Sequence, residues 1–345
     1  MKFRRVPLAQ ASGHILGHNV SSAARRLLKK GRRLGELELA ELRSAGLDSV
    51  YVAELDAGDV GEDAAAQRIG SALAERAGLR LELATGGRVS FCAPARGVLS
   101  IQSERLLELN LIAGVTLATP PNHALLAAGQ AAGTLKIIPF ALAGAALAAA
   151  LALVERGVLE FRALQPRRVG ILVSGAEGRR ERLLDTYRPP LEQRLAELGS
   201  SDVCVEYVPF ISEPERELGA AIERHGNAAA DLLIVVGETA TMDANDLIPQ
   251  AIRRAGGQVS VVGAPVFPGN LLLLGYRSQM AILGAPGCAR SRAQNVIDLL
   301  LPRLLTGERP GPREIAELGL GGLLERAREP ASKDTSGAGQ SDADA

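Results

Sequence analysis

The second half of the chain alternates short apolar runs with amphipathic stretches of helical length, and this alternation restricts the possible folds more than any other feature. The apolar runs predict strands buried on both faces, and the stretches between them predict crossover helices. The predicted strands are 169–174, 203–208, 231–236, 259–262 and 280–283, and the predicted helices are 191–198, 214–225, 246–255 and 292–305. Such units predict an α/β domain, three layers (αβα) deep, with a mostly parallel sheet that binds ligands beyond the carboxyl ends of its strands.

The first half of the chain predicts an α+β domain. Its helices are expected over 37–45, 63–77 and 140–154, with strand 50–52 and further short strands between 79 and 140. Asp59 and Glu62 have the spacing of a capping box before the second helix. The predicted divisions are an N-terminal domain (1–161), a linker (162–168), a C-terminal domain (169–308), an extension (309–328) and a disordered tail (329–345), which is too polar to bury an apolar core.

Composition excludes several classes of protein. Basic and acidic residues both number 39 and aromatic residues make up 3% of the chain, which argues against a nucleic-acid or membrane partner. The 3 cysteines are far apart, which argues against a disulfide framework or a zinc site of the usual spacing. The alanine-rich run 140–154 is shorter than the roughly 20 apolar residues that a membrane span needs. No signal peptide is recognisable, so we expect a cytoplasmic protein.

Three loops that contain glycine follow predicted strands of the C-terminal domain. Glycines allow backbone N–H groups to approach an anion, and a helix N-terminus adds a favourable dipole. Arg290 and Ser291, just before the predicted helix 292–305, suit a phosphate. Asp243 and Asp246 either hold Mg²⁺ beside that phosphate or cap the helix that follows them. Each loop alone is equally compatible with simple turn geometry, but three on one sheet favour an anionic ligand.

These loops resemble those of the molybdopterin-binding domain family, which is shared by molybdopterin adenylyltransferases, molybdopterin molybdotransferases and competence-damage-type proteins. Four segments carry the resemblance: Ser174–Glu177 with Asp185 and Thr186, Gly237 with Asn245–Ala251, Val266–Asn270, and Leu283–Ser291. The resemblance implies catalytic roles for Asp185, Asp243 and Asp246, the last two also as Mg²⁺ ligands. It implies binding of molybdopterin or the molybdenum cofactor by Ser174, Gly175, Glu177, Thr186, Gly237, Glu238, Thr239, Pro268, Gly269, Asn270, Pro286, Gly287, Arg290 and Ser291.

The sequence departs from the family pattern at several positions. Glu238 and Ala240 replace glycines, Asn270 replaces a lysine, and Tyr187 replaces a common asparagine. This variant set resembles the molybdopterin-binding front part of fused molybdenum cofactor cytidylyltransferases, and segments of the first half, such as Gly13–His18 and Lys136–Phe140, have counterparts there. The glycine–lysine loop of the nucleotidyltransferase half of those fusions does not occur in this sequence.

Two main hypotheses follow from the resemblance. The chain either carries molybdopterin or the finished cofactor to a nucleotidyltransferase or an apo-molybdoenzyme, or it is itself an enzyme of the molybdotransferase or adenylyltransferase type. The lost glycines and lysine favour the first hypothesis, and the retained Asp185 and Asp246 favour the second. An unrelated nucleotide-binding regulator is a third reading. Relatives of this domain often form dimers or trimers, so we expect a homo-oligomer.

Three further side chains allow two interpretations each. His14 and His18 have a spacing that would place them on one helix face, but the neighbouring glycines disfavour a helix and a metal site. Lys136, in an apolar strand, either extends to the surface or contacts an anion. Cys288 either ligates molybdenum or is a small buried residue.

Overall fold

The computed structural model describes residues 1–21, 26–83 and 85–324, so the predicted tail 329–345 lies outside the described residues. The chain divides into two compact units between Leu164 and Gln165. Both units combine helices with β-sheets, which makes the chain a mixed α/β protein.

The N-terminal unit consists of short strands with helices between them. Its strands are β1 (Lys2–Pro7), β2 (Ile15–Leu16), β3 (Val20–Ser21), β4 (Arg26–Leu28), β5 (Ser49–Glu54), β6 (Asp59–Gly61), β7 (Arg80–Leu83), β8 (Arg88–Cys92), β9 (Gly97–Ile101), β10 (Val115–Ala118), β11 (Ala124–Leu126), β12 (Ala131–Ile137), β13 (Ala141–Ala143) and β14 (Leu159–Ala163). Its helices are α1 (Glu36–Ser44), α2 (Glu62–Ala77), α3 (Ser103–Asn110) and α4 (Gly144–Glu155).

Helix α2 forms the centre of the main core of this unit. Its apolar residues at helical spacing, including Ile69 and Leu73, pack with Phe91 and Leu135 from the antiparallel sheet β10-β12-β8-β7. Helix α4 contributes Leu147 and other buried residues to the same core. The predicted helix 140–154 is therefore a half-buried helix of a globular core only from Gly144 onward, because Ala141–Ala143 form β13. No helix among the described residues is long and apolar enough to span a membrane.

The predicted capping box at the start of α2 is wrong. Gly61 occupies the N-cap position, and Asp59 lies in β6, where its Oδ2 accepts hydrogen bonds from the Asp56 amide at 2.8 Å and pairs with the Met1 ammonium at 2.6 Å. These contacts hold the pKa of Asp59 below its usual range, the ammonium contributing most. Glu62 instead pairs with Lys136 Nζ at 3.1 Å. The anion that Lys136 contacts is thus a carboxylate of its own unit.

The C-terminal unit contains one six-stranded sheet. Its strands are β15 (Val169–Gly175), β16 (Val203–Pro209), β17 (Leu232–Gly237), β18 (Gln258–Val262), β19 (Leu273–Arg277) and β20 (Met280–Gly284). Its helices are α5 (Arg180–Glu197), α6 (Pro214–Asn227), α7 (Leu247–Arg254), α8 (Val296–Leu305) and α9 (Pro312–Ala316).

The strand order of this sheet is β16-β15-β17-β20-β19-β18. The four strands β16, β15, β17 and β20 pair in parallel, and β19 is antiparallel to both of its neighbours. From β15 the chain moves outward to β16 and then returns to the other side of β15 as β17. The strand order therefore reverses between β15 and β17. Open α/β sheets bind ligands beyond the carboxyl ends of the strands at such a reversal, the region termed the crevice here.

Helix α8 begins later than the sequence predicts. It starts at Val296 rather than at 292, because Asn295 is its N-cap: Asn295 Oδ1 accepts the Ile297 amide at 3.0 Å, and Asp298 Oδ2 accepts the Asn295 amide at 2.9 Å. The sequence predicted Arg290 and Ser291 at the N-terminus of α8, and the structure shows that they do not lie there. They lie in a separate 3₁₀ turn, Gly287–Arg290, and directly after it.

Candidate functional site

The ends of β15 and β17 approach each other closely at the candidate site. The Glu238 amide donates to the Ser174 carbonyl at 2.9 Å, and the buried Ser174 hydroxyl donates to the Val236 carbonyl at 3.4 Å. A Cβ atom at Gly237 would lie 2.4 Å from the Ser174 carbonyl oxygen, so only glycine fits there. Four of the predicted residues, Ser174, Gly175, Gly237 and Glu238, are thus brought together.

Glu238 connects the loops that follow β15 and β17. Its Oε2 accepts the Ala176 amide at 2.9 Å, and its Oε1 pairs with Arg179 Nη1 at 2.6 Å. A carboxylate of the protein therefore occupies one backbone N–H and one guanidinium at the mouth of the crevice. Both groups are of the kind that binds phosphate.

Tyr187 on α5 contacts the end of β17. Its hydroxyl donates to the Gly237 carbonyl at 3.2 Å. Burial raises the pKa of Tyr187, and the positive charge of Arg290 opposes this shift. Arg290 is exposed in the third loop and does not begin a helix.

The third loop is held in place by Arg194, a buried residue of α5. Its guanidinium pairs with Asp298 at 2.8 Å and donates to the carbonyls of Ala289 at 3.3 Å and Ser291 at 2.6 Å. The Ala285 amide also donates to the Val235 carbonyl of β17 at 2.9 Å. Because Arg194 spans the loop, the backbone beside Pro286 and Gly287 has a fixed path.

The segment Pro268–Asn270 lies at the start of α8. A cis peptide bond joins Phe267 to Pro268, and the Pro268 carbonyl accepts the Val296 amide at 3.2 Å. Gly269 has φ +129°, and a Cβ there would lie 2.4 Å from Val296 Cγ1, so the position requires glycine. Asn270 is exposed, and its carbonyl accepts the Ala264 amide at 3.0 Å.

Asp243 and Asp246 are held by their own loop. Asp246 is the N-cap of α7: its Oδ1 accepts the Leu247 amide at 2.7 Å and its Oδ2 the Met242 amide at 3.0 Å. Asp243 Oδ1 accepts the Asn245 amide at 2.8 Å. Three of the four carboxylate oxygens therefore already have backbone donors. Across residues 1–21, 26–83 and 85–324 there is no group of three or more ligating side chains suited to a metal ion.

The remaining predicted residues show no contact with the crevice. Asp185 is exposed on α5, and the Thr186 hydroxyl donates to the Arg182 carbonyl of its own helix at 2.6 Å. Glu177 pairs with Arg180 at 3.5 Å, and Thr239 and Gly287 are exposed. In the N-terminal unit, the His18 ring lies 5.4 Å from Phe3 and 5.2 Å from Tyr51, in an aromatic cluster.

Sequence analysis missed several side chains that shape the site. Arg194 and Asn295 fix the third loop, and Tyr187 contacts the end of β17. The Tyr207 hydroxyl donates to the Ala176 carbonyl in the first loop at 2.7 Å. One signal was available: Asn295 and Asp298 have the spacing of an N-cap and its N3 carboxylate directly before an apolar run.

Comparisons with known proteins match parts of this chain. A family model described as a domain of unknown function (DUF8806) matches residues 5–54. Among solved structures, a molybdopterin biosynthesis MoeA protein from Pyrococcus horikosii is similar at 14% identity and a TM-score of 0.30, over 91% of this chain and 75% of that chain. A molybdopterin biosynthesis protein from Mycobacterium abscessus is similar at 14% identity and a TM-score of 0.27, over 41% of this chain and 92% of that chain. No curated protein matches the chain. At these TM-scores the similarity establishes neither fold nor function.

Proposed function

We propose that the C-terminal unit binds molybdopterin or the molybdenum cofactor by its phosphate, and that the protein carries this ligand without turnover of its own. One observation carries the proposal: the loops after β15, β17 and β20 follow neighbouring parallel strands at the point where the strand order reverses. These are the loops whose residues resemble the molybdopterin-binding family. Ligand binding at such a reversal is the general rule for open α/β sheets.

The chemistry of the crevice suits a phosphorylated ligand. Arg290 and Arg179 are exposed cations at its edge, and the Ala176 amide points toward it, where Glu238 now accepts it. Gly287 leaves the third loop open, because a Cβ there would meet no atom within 4 Å. Guanidinium groups and backbone amides are the donors that phosphate prefers in proteins.

Two features favour binding over catalysis. Glu238 places a negative charge beside Arg179, where the family has glycine, and this charge opposes a second phosphorylated substrate such as a nucleoside triphosphate. Asp246 is engaged as a helix cap. The proposed function therefore includes no reaction step at Mg²⁺. The enzymatic alternative rests on the retained Asp185 and Asp246.

The finer architecture belongs to the same proposal. We propose a three-layer αβα domain, because residues of α6 and α7 form one core with Leu172 and Leu233 of the sheet. The buried Leu191 and Leu195 of α5 are not part of that core, as expected for a helix on the other face. Three further points stay predictions. They are similarity to the front part of fused cytidylyltransferases, a homo-oligomeric state, and delivery to a nucleotidyltransferase or an apo-molybdoenzyme.

The test is purification of the chain from a molybdopterin-producing host, followed by release and fluorescence detection of bound pterin. We expect pterin on the wild type and a strong loss in Arg290→Ala. Arg292→Ala is the matched control, because Arg292 is equally exposed but pairs with Glu197 at 3.1 Å. Adding ATP, CTP or molybdate to the loaded protein then tests for turnover. Absence of pterin from the wild type, together with a saturable nucleotide site, would overturn the proposal.

A further inference from the structure

A second cavity of about 190 Å³ lies at the amino ends of β15 and β16, opposite the strand-end crevice. Its lining includes Gly170, Cys204, Glu206 and His225, with Arg168 and Arg224 among the other residues. None of these residues belongs to the proposed molybdopterin site. A thiol, an imidazole and a carboxylate therefore share one cavity.

The sheet register brings these groups to one face. In the parallel pair β15–β16, Gly170 is opposite Cys204 and Leu172 is opposite Glu206. Side chains two residues apart on a strand point to the same side, so Cys204 and Glu206 project together. Neighbouring strands are about 4.8 Å apart, which places the Cys204 backbone next to Gly170. Cys204 is exposed, so its thiol is accessible from solvent.

Helix α6 places His225 over this face. The residue is only 7% exposed, and its Nε2 lies 3.2 Å from Glu206 Oε2. Its Nδ1 lies 2.5 Å from the position that a Cβ at Gly170 would occupy, so the ring sits directly above that glycine. Gly170 is the residue that pairs with Cys204 in the sheet register. One ring nitrogen is thus held by a carboxylate, and the other lies over the glycine next to Cys204.

We propose that Cys204 is a nucleophilic thiol, that His225 is its general base oriented by Glu206, and that the cavity accepts small anionic disulfides. Orientation of a histidine through its second nitrogen is the usual way to present a base to a nucleophile. Arg168 pairs with Asp202 at 3.0 Å and Arg224 pairs with Glu206, but their side chains are 54% and 59% exposed, so their remaining N–H groups can contact the carboxylates of an incoming ligand. The apolar walls, including Val169 and Ala230, suit its methylene groups.

The reaction is a thiol–disulfide exchange. His225 Nδ1 accepts the Cys204 proton, directly or through one water, and the thiolate attacks one sulfur of the disulfide. A new S–S bond joins Cys204 to that sulfur as the original S–S bond breaks. The second sulfur leaves as a thiolate and takes the proton from the imidazolium. The disulfide is the oxidant, and the products are a mixed disulfide on the protein and one free thiol.

The test uses the full chain with Cys92→Ala and Cys288→Ala, so that Cys204 is the remaining thiol. Glutathione disulfide, which is anionic, and cystamine, which is cationic, are the probes, and adduct formation is followed by intact mass. We expect glutathione disulfide to react about a hundredfold faster in this chain than in its His225→Gln form, the lower end of the range for loss of a general base. We also expect Arg168→Gln to reduce the preference for the anionic probe over cystamine.

Two measurements separate chemistry from folding. If His225→Gln does not fold, Glu206→Gln is compared by its rate at one pH, which should fall because the imidazole loses the carboxylate that orients it, and Glu206→Asp should restore part of that rate. The charged groups around His225, namely Arg168, Arg224 and Asp202, are unchanged in both variants. The proposal is wrong if Cys204 reacts with both probes at the rate of an unfolded chain, or if Glu206→Gln leaves the rate unchanged.

Discussion

At the scale of single residues, Glu238, which stands where the molybdopterin-binding family pattern has glycine, is the departure with the clearest physical consequence. Its carboxylate accepts the Ala176 amide and pairs with Arg179, so the protein supplies its own anion at the mouth of the proposed phosphate site. A phosphate that enters the crevice must compete with this carboxylate for the same donors. The loop after β15 is ordered by that contact in the absence of ligand.

Glu238→Gln should therefore strengthen phosphate binding. The amide oxygen can still accept the Ala176 amide, but the negative charge disappears and Arg179 is released. We expect inorganic phosphate to bind about fivefold more tightly, in line with the roughly 1 kcal/mol of a half-exposed charge pair. Titration calorimetry at low salt measures the change. Glu177→Gln in the same loop is the control, because Glu177 pairs only with Arg180 at 3.5 Å. Weaker binding in Glu238→Gln would instead make Glu238 a ligand-binding group.

At the scale of elements, α7 depends on one side chain for its first turn. Asp246 accepts the Leu247 amide at 2.7 Å, and the helix is short, running only to Arg254. A free helix terminus leaves several N–H groups without partners, so the loss of a cap is felt by the whole helix. The same carboxylate is the one that the family resemblance assigns to Mg²⁺.

Asp246→Ala should lower the free energy of unfolding by about 1 kcal/mol, the usual cost of a lost N-cap, and Asp246→Ser should restore most of it. Urea unfolding measures both variants, with Asp243→Ala as a neighbouring control outside the helix. If Asp246 acts only as a cap, Asp246→Ala lowers the free energy of unfolding by the same amount with and without Mg²⁺. If added Mg²⁺ stabilises the wild type and not Asp246→Ala, the residue is a metal ligand and the capping account is incomplete.

Element boundaries show what local sequence can predict in this chain. The strands of the C-terminal half were predicted because each is a short apolar run between helices, as in 169–175 and 232–237. Strand β19 was missed because no crossover helix separates it from β20. Helix α5 was predicted over 191–198, whereas it begins at Arg180 and contains Pro189 and Pro190.

Site residues were predictable only where the loop backbone itself requires a particular residue type. Gly237 and Gly269 follow from geometry, because a side chain at either position would collide with a neighbouring segment. Tyr187 and Arg194 act across long sequence separations, on Gly237 and on the loop near Ser291. No local periodicity records such contacts. The sequence therefore predicted the loops that follow the strands, but it did not predict the side chains that hold these loops together.

At the scale of the whole molecule, the titratable groups whose pKa is raised mainly by burial are concentrated in the C-terminal unit. They are Tyr187, Tyr207, Tyr276 and Cys288, whereas among the described N-terminal residues burial is the main cause of a raised pKa for Cys92 alone. Burial disfavours the anionic form of each group. Each therefore keeps its proton in the folded state at a pH where the unfolded chain has begun to release it.

This distribution predicts that the C-terminal unit loses stability at alkaline pH before the N-terminal unit does. Burial raises the pKa of Tyr276 from 10.0 to about 12, and its hydroxyl donates to the Pro310 carbonyl at 2.8 Å. Its contribution is complete below about pH 10, where the hydroxyl is protonated in both states, and is lost as the pH rises toward 12 because only the unfolded state then ionises. The urea midpoint of each unit is measured at pH 8 and at pH 11, with limited proteolysis as the probe of unfolding. Tyr276→Phe should be less stable than the wild type at pH 8, since it lacks that hydrogen bond, yet lose less stability between the two pH values. Equal losses in both proteins would show that Tyr276 does not control the alkaline transition.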